Sequence, residues 1–397
     1  MKRLSSRILF ILLSFAVLLL LAACDVTITL EDGTVIDLPL KTGETAVQQT
    51  PTPILPTTDA EEATAVSTPP SPTTANDPTW YDIAFTDPDC LPEEERSGGL
   101  DELIAADLLR AQTQVDIAAY DLDAEPIVNA LIELEKRDIP VRVVTDEDNA
   151  DQSAIRRLRR NGISVVEDKR RGLMHNKFII IDGYIVYTGS LNYTTNGVYC
   201  NNNNLVRIES SRLAANYRAE MDEMYNERQF GPDSPENTPN EQLTIGGVPV
   251  ENYFAPEKKL APIIADAVAN AQSEILFMAF SFTEEQIGET MLARAAAGVP
   301  VRGVFETVGS DSDYSYYGRM QDSGLETVQV RQDSNPHIMH HKVIIIDRET
   351  VIFGSFNFSD SANRRNDENI LIVHDPVFTG YFVEEFETVW QEAKTEQ

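Results

Sequence analysis

The segment His175-Asn176-Lys177-Phe178-Ile179-Ile180-Ile181-Asp182 returns as His340-His341-Lys342-Val343-Ile344-Ile345-Ile346-Asp347. Both copies read His-x-Lys-x-x-x-x-Asp, and each is followed by Gly-Ser-x-Asn: Gly189-Ser190-Leu191-Asn192 and Gly354-Ser355-Phe356-Asn357. The interval from His175 to His340 is repeated without change at the Lys, the Asp, the Ser and the Asn, in a chain with only five His and nine Lys. Coincidence is a poor account of that. A chain built this way is expected to fold as two similar halves, with one active site to which each half gives an imidazole and an ammonium.

Weaker repeats extend the duplication upstream. Gln112-Thr-Gln-Val-Asp-Ile-Ala-Ala-Tyr-Asp aligns with Gln272-Ser-Glu-Ile-Leu-Phe-Met-Ala-Phe-Ser, and Ile139-Pro-Val-Arg-Val-Val with Val299-Pro-Val-Arg-Gly-Val. The interval from Gln112 to Gln272 is shorter than that from His175 to His340, so the second half carries five extra residues before its motif. Helical periodicity is expected near 100–111, 125–137, 260–271 and 284–297, and strands near 114–119, 141–145, 274–280 and 301–305. Strands alternating with helices imply an α/β protein with a largely parallel sheet in each half, covered by helices on both faces. The first repeat is read over 80–230 and the second over 241–397, with the Pro-rich passage 231–240 as linker.

The N-terminal segment has a different origin. Lys2, Arg3 and Arg7 precede an apolar run from Ile8 to Leu21, then Leu21-Ala22-Ala23-Cys24. A basic start, an apolar middle and small residues before a cleavage point make a secretory leader over 1–23. The Leu-Ala-Ala-Cys ending resembles the bacterial lipobox, which implies lipidation of Cys24 and a body held outside the cytoplasm on a membrane; the alternative is an uncleaved anchor. Residues 24–79 read as a short hairpin around Asp32-Gly33 and then a Thr/Pro-rich stalk, with too little apolar surface to fold alone. With Cys24 set aside, Cys90 and Cys200 remain as a possible disulfide in an oxidising compartment, provided their Cα atoms come within reach. No Cys spacing suits a zinc site, and no acidic cluster at metal-ligand spacing is visible, so neither metal nor cofactor is expected.

Net charge is −32, and without residues 1–97 the body still holds 49 acidic and 27 basic groups. Such a body repels nucleic acid at long range. Against that background Arg156, Arg157, Arg159, Arg160, Lys169, Arg170 and Arg171 cluster just before His175. They read either as a funnel for an anionic substrate or as a solvated helix face. Tyr314, Tyr316 and Tyr317 read as a packed loop or as a rim that stacks on substrate.

Phe178–Ile181 and Ile185–Tyr187 flank Asp182-Gly183, so each motif should open a β-hairpin. On a strand, residues two apart share a face. His175 and Lys177 therefore point one way, as do Ser190 and Asn192 on the return strand. Asp182 has the other parity and is expected to brace the hairpin or a nearby loop. His340, Lys342 and Asp347, with Ser355 and Asn357, repeat the pattern. Parity also takes His341 out of the site. Two ammoniums and two amides can hold the oxygens of a phosphodiester, one neutral imidazole can attack phosphorus, and a protonated one can donate to the leaving oxygen.

The paired motifs resemble those of the phospholipase D superfamily over residues 80–396. That resemblance implies two tandem α/β/α sandwiches with the active site on the pseudo-two-fold between them. It implies His175 as nucleophile, His340 as general acid and base, and Lys177, Lys342, Asn192 and Asn357 on the phosphoryl oxygens. On the same resemblance the motif Asp182 and Asp347 are grouped with the catalytic residues, and Ser190, Ser355, Asn203 and Glu368 are taken with the substrate-binding set. The family often has a carboxylate at a fixed distance beyond the motif His, hydrogen-bonded to an imidazole. Here that position is Glu368 in the second half but Asn203 in the first. The expectation is that the asymmetry keeps His340 protonated and His175 neutral; the alternative is that Asn203 weakens His175 and the two roles swap. The expected activity is hydrolysis of a phospholipid such as phosphatidylcholine, with the membrane met through the lipid anchor. The alternatives are an endonuclease acting on DNA or RNA, transfer to another alcohol, and a catalytically dead phosphate-binding module. A duplicated chain completes its site alone, so a monomer is expected.

Overall fold

A half that alternates short apolar strands with one-sided apolar helices can bury both only by laying the helices across a sheet. The computed structural model describes residues 26–29, 35–38 and 80–394. The leader 1–23, Cys24 and the stalk 41–79 lie outside the described residues. The expected hairpin is present as β1 (Val26–Thr29), antiparallel to β2 (Val35–Leu38).

The first half runs β3 (Tyr81–Phe85), α1 (Leu100–Leu108), β4 (Val115–Ala119), α2 (Glu125–Lys136), β5 (Val141–Asp146), α3 (Ser153–Arg160), β6 (Ser164–Asp168), β7 (Lys177–Ile181), β8 (Ile185–Gly189), α4 (Thr195–Tyr199), β9 (Asn204–Glu209) and α5 (Ser211–Asp222). The second runs β10 (Gln242–Ile245), β11 (Val248–Ala255), α6 (Leu260–Ala269), β12 (Ile275–Ala279), α7 (Glu285–Ala296), β13 (Val301–Phe305), α8 (Tyr316–Gln321), β14 (Val328–Gln332), β15 (Lys342–Ile346), β16 (Thr350–Gly354), α9 (Asp360–Arg364), β17 (Glu368–His374) and α10 (Pro376–Glu392). Both halves belong to one compact unit.

Strand order is β3-β9-β8-β7-β4-β5-β6 in one sheet and β10-β11-β17-β16-β15-β12-β13-β14 in the other. Only β4-β5-β6 and β12-β13-β14 are parallel, and every other pairing is antiparallel. The expectation of a largely parallel sheet is therefore corrected. Helical crossovers join those neighbouring strands, whereas the motif hairpins and the strands beyond them add antiparallel. Among the described residues, no helix is long and apolar enough to cross a membrane.

Helices α1, α2 and α3 cover the outer face of the first sheet, and α6, α7 and α8 that of the second. The inner faces share one core with α5 and α10. Both inner helices start at side-chain caps: Ser210 Oγ accepts from Leu213 N, and Asp375 from Phe378 N just before Pro376. From α10, Phe378, Phe382 and Phe386 are fully buried against the second sheet, so truncating Phe382 to Ala is expected to cost about 3–5 kcal/mol. The internal repeats signal neither inner helix, because each follows a strand that the aligned stretches do not reach. Cys90 and Cys200 form the possible disulfide, with Cα atoms 4.3 Å apart. It ties β3's exit to the segment leading into β9, and closing a loop of 110 residues stabilises the fold by roughly 4 kcal/mol on chain entropy.

The Gly-Ser-x-Asn signature has a steric cause. A Cβ on Gly189 would stand 2.4 Å from the Asn204 carbonyl oxygen, and one on Gly354 would stand 2.2 Å from that of Asn369. Only glycine lets β8 and β16 come this close to β9 and β17. The serine that follows then locks the approach. Ser190 N donates to Asn204 O and Asn204 N to Ser190 Oγ, each at 3.1 Å. Ser355 and Asn369 repeat this at 3.1 and 3.0 Å.

Candidate active site

The segment preceding each motif histidine pairs with the strand entry of the opposite half. Asp367 N donates to Leu173 O at 2.8 Å and His175 N to Asp367 O at 3.0 Å. Asn202 N donates to Ile338 O and His340 N to Asn202 O, both at 2.9 Å. This exchange sets residue 368 beside the histidine of the first half and residue 203 beside that of the second. His175 Nδ1 meets Glu368 Oε2 at 2.9 Å. His340 Nδ1 meets Asn203 Oδ1 at 3.0 Å and the Ser190 carbonyl at 3.1 Å. The expected pairing is thereby corrected: the carboxylate serves His175, not His340. Parity and spacing within one half do not reveal it, because the contact crosses between halves.

The sequence groups Ser190, Ser355, Asn203 and Glu368 with the substrate-binding residues, and the structure sets them behind the histidines instead. Ser355 Oγ donates to Glu368 Oε2 at 2.6 Å and Ser190 Oγ to Asn203 Oδ1 at 2.9 Å. All four are completely buried. With Nδ1 engaged on each ring, Nε2 is the nitrogen left for chemistry. The rings are further fixed by edge-on aromatics at homologous positions, Tyr120 on His175 at 5.0 Å and Phe280 on His340 at 4.9 Å. The aligned Ala-Tyr-Asp and Ala-Phe-Ser stretches carry that signal.

Lys177 and Lys342 are buried to 1% exposure. Each spends one donor on the backbone carbonyl of its own histidine, at 2.7 and 2.8 Å, which leaves two N–H donors per ammonium. Asn192 and Asn357 each hold a buried Oδ1 without a hydrogen-bond partner. The motif aspartates lie elsewhere, five residues along the strand and thus about 17 Å from the lysines. Asp182 accepts from the backbone N–H groups of Gln112, Thr113 and Gln114, and Asp347 from those of Gln272, Ser273 and Glu274. These bonds hold both carboxyls below the ordinary range despite desolvation. Grouping Asp182 and Asp347 with the catalytic residues is corrected, while the parity reading of them as braces is what the geometry displays.

The site is short of negative charge. Burial lowers Lys177 to about 7, against the upward pull of Glu368. Burial and then repulsion from Lys177 push Lys342 well down. Burial takes His175 to about 4 despite Glu368, and His340, lacking a carboxylate, is pushed well below its usual value. Glu368 itself is held down by His175 and Lys177 against desolvation. Two imidazoles and two ammoniums around one buried carboxylate suit an anion, whose charge favours their protonated forms.

The basic cluster is largely spent. Arg157 pairs with Glu125, Arg159 and Lys169 with Glu167, and Arg170 with both Asp168 and Asp367. His341 is buried between Asn204 and Glu385, as its parity requires. Tyr316 and Tyr317 are buried and Tyr314 is exposed. One feature lies beyond the sequence reading: Glu220, Glu223 and Glu257 converge. Glu220 and Glu223 share a helix face, but Glu257 arrives from another segment, so the sequence displays only part of the cluster.

A family model described as cardiolipin synthase, PLD-like domain, matches residues 104–225 and again 264–390. Mitochondrial cardiolipin hydrolase of Homo sapiens is 35% identical over 131 residues, covering 32% of this chain and 49% of that protein. Phospholipase D of Rickettsia bellii (strain RML369-C) is 32% identical over 126 residues, covering 32% of this chain and 61% of that protein. The chain thus spans about half to three-fifths of the length of the curated relatives it matches. Phosphatidylserine synthase of Haemophilus influenzae Rd KW20 has the same fold, with a TM-score of 0.58 at 13% identity over 79% of this chain and 86% of that one.

Proposed function

Because the chain belongs to the phospholipase D superfamily, we propose that it is a phosphodiesterase that hydrolyses a phospholipid at the headgroup side through a phospho-histidine intermediate. The observation that carries this reading is the single buried site in which both halves supply an imidazole with Nδ1 engaged and an ammonium with donors to spare.

Lys177, Lys342, Asn192 and Asn357 hold the non-bridging oxygens and stabilise the charge that builds on them. His175 Nε2 attacks phosphorus while the bond to the headgroup oxygen breaks, and His340 gives that oxygen its proton. Glu368 stabilises the positive imidazole that forms as the N–P bond closes. Water then attacks phosphorus, His340 takes its proton, and the N–P bond breaks to release phosphatidic acid. The lipid rather than nucleic-acid substrate is supported by the acidic body, by the neutralised basic cluster and by the names of the similar proteins. The same reading takes Cys24 as the lipidated residue that keeps the enzyme on a membrane outside the cytoplasm. Palmitate labelling is expected in the full chain and lost in Cys24→Ser.

The test incubates the full chain with vesicles of phosphatidylcholine, phosphatidylethanolamine or cardiolipin, and in parallel with single-stranded DNA, using His175→Ala as control. Release of headgroup alcohol or phosphatidic acid that disappears in the variant is expected. Cleavage of DNA with no lipid product would overturn the lipid reading and leave an endonuclease.

A further inference from the structure

We infer that Glu220, Glu223 and Glu257, with Ser234 beside them, bind a divalent cation, calcium in preference, at the seam between the two halves. The three glutamates each offer a carboxylate oxygen, and these oxygens all lie within 4.8 Å of one another. Two oxygens on opposite sides of a calcium ion bound at about 2.4 Å stand about 4.8 Å apart, so the triangle fits around one ion. Glu220 and Glu223 are 3% and 2% exposed.

Buried carboxylates are ordinarily matched by a cation or by several donors. Here the match is incomplete. Glu220 accepts from Asn176 Nδ2 at 2.7 Å and Glu223 from Asn237 Nδ2 at 3.1 Å. Glu223 Oε1 and Glu257 Oε2 are buried with no partner. Ser234 is itself buried to 8% exposure with its hydroxyl beside the Glu223 carboxylate, whose pKa it lowers, yet its Oγ closes no hydrogen bond of standard geometry. The nearby basic side chains are used elsewhere. Arg170 is held by Asp168 and Asp367, Lys258 by Glu236 and Glu241, and Lys259 donates to the Pro256 carbonyl.

Three segments meet at this point. Glu220 lies in the last turn of α5, and Glu223 opens the π turn Glu223–Glu227 that follows. Glu257 comes just after β11, and Ser234 belongs to the passage between the halves. The homologous place in the second half is built differently. Glu385, which stands to Glu220 as His340 stands to His175, pairs with His341 at 3.0 Å. One half thus sets an imidazole against its carboxylate, while the other gathers two more carboxylates and, among the described residues, no ion-paired cationic side chain. All-oxygen, anionic ligands select a hard ion over zinc or copper, and unequal, partly flexible donors suit calcium's loose coordination better than the strict octahedron of magnesium.

The full chain is stripped with chelator, and binding is followed at pH 8 by terbium luminescence with competition from CaCl2 or MgCl2, and by thermal unfolding with and without 5 mM calcium (on the order of typical extracellular-site affinities). One calcium site is expected, with a rise in Tm of several degrees. In Glu223→Gln and in Glu257→Gln affinity should fall at least about tenfold and the Tm rise should vanish, while Glu94→Gln on the surface behaves as the unsubstituted chain. Should either cluster variant fail to fold, Ser234→Ala, expected to weaken calcium without removing a charge, takes its place. Absence of a calcium-dependent Tm rise would overturn the proposal and leave protons as the counter-charge. Equal binding by Glu223→Gln, Glu257→Gln and the unsubstituted chain would overturn it too, by assigning the ions to the acidic surface.

Discussion

His175 rests its Nδ1 on the carboxylate of Glu368, whereas His340 rests its own on the amide oxygen of Asn203 and the Ser190 carbonyl. The backbone around the two rings is otherwise a repeat: the same cross-half hydrogen bonds, the same serine behind the partner, the same aromatic edge on the imidazole. The change that alters charge behind the rings is carboxylate for amide. A full negative charge behind His175 favours the cationic ring that exists while nitrogen is bonded to phosphorus. A dipole behind His340 orients the ring but grips its proton weakly, which makes the protonated ring a stronger acid. The asymmetry thus suits the roles of nucleophile and acid, by the reverse of the route that the sequence suggests.

The comparison breaks most visibly at the proposed nucleophile. His175→Asn is expected to lower kcat by about 10⁴-fold or more and to leave no phospho-enzyme. His340→Asn should still be labelled by a substrate with an activated leaving group and then stall, and peptide mapping of the unsubstituted enzyme after an alkaline denaturing quench, in which the N–P bond survives, that finds phosphate on His340 would reverse the two roles. Next in size, Glu368→Gln should cost roughly 10²–10³-fold in kcat. It also carries a signed pH effect. In the free enzyme, kcat/KM should rise as His175 loses its proton near pH 4 and fall as the general acid His340, itself held well below the ordinary imidazole value by burial, loses its own. Glu368 raises the His175 value, so its neutralisation should move the rising limb to lower pH. A rising limb that stayed in place in Glu368→Gln would deny the carboxylate any electrostatic part.

Asn203→Asp sharpens the comparison by making the halves alike. The new charge should raise the His340 pKa and change kcat by less than about tenfold, which NMR titration of the imidazole together with turnover can read. The smallest effect is expected at the aspartates that end the motifs. Asp182→Ala removes the acceptor of three backbone N–H groups, at a site where water can replace part of the loss. Denaturant titration should register about 1 kcal/mol, with kcat per folded molecule unchanged. A large loss of kcat there would mean that the motif works as one catalytic unit.

The duplication, the α/β layering and the strands and helices that bear repeats can all be read from residues, because periodicity and internal alignment report local geometry directly. The grouping of His175, Lys177, His340 and Lys342 is readable for the same reason. Three things are not. The antiparallel additions β9 and β17, and with them α5 and α10, follow each motif where the halves show no aligned stretch. The exchange of Glu368 and Asn203 between halves depends on backbone pairing of residues 172–175 with 366–368, a contact between distant segments that spacing cannot express. Glu257 reaches Glu220 and Glu223 for a similar reason: tertiary approach, not sequence interval, makes the cluster.

The crossing of the partners also sets a timetable. Glu368 belongs to β17, the last strand to be synthesised, whereas His175 is made long before it. Until β17 is added, the emerging chain carries both imidazoles and both ammoniums but no charge behind His175. On the proposed mechanism the chain is therefore incompetent while it is being made, and chemistry begins only when the final strand is zipped into place.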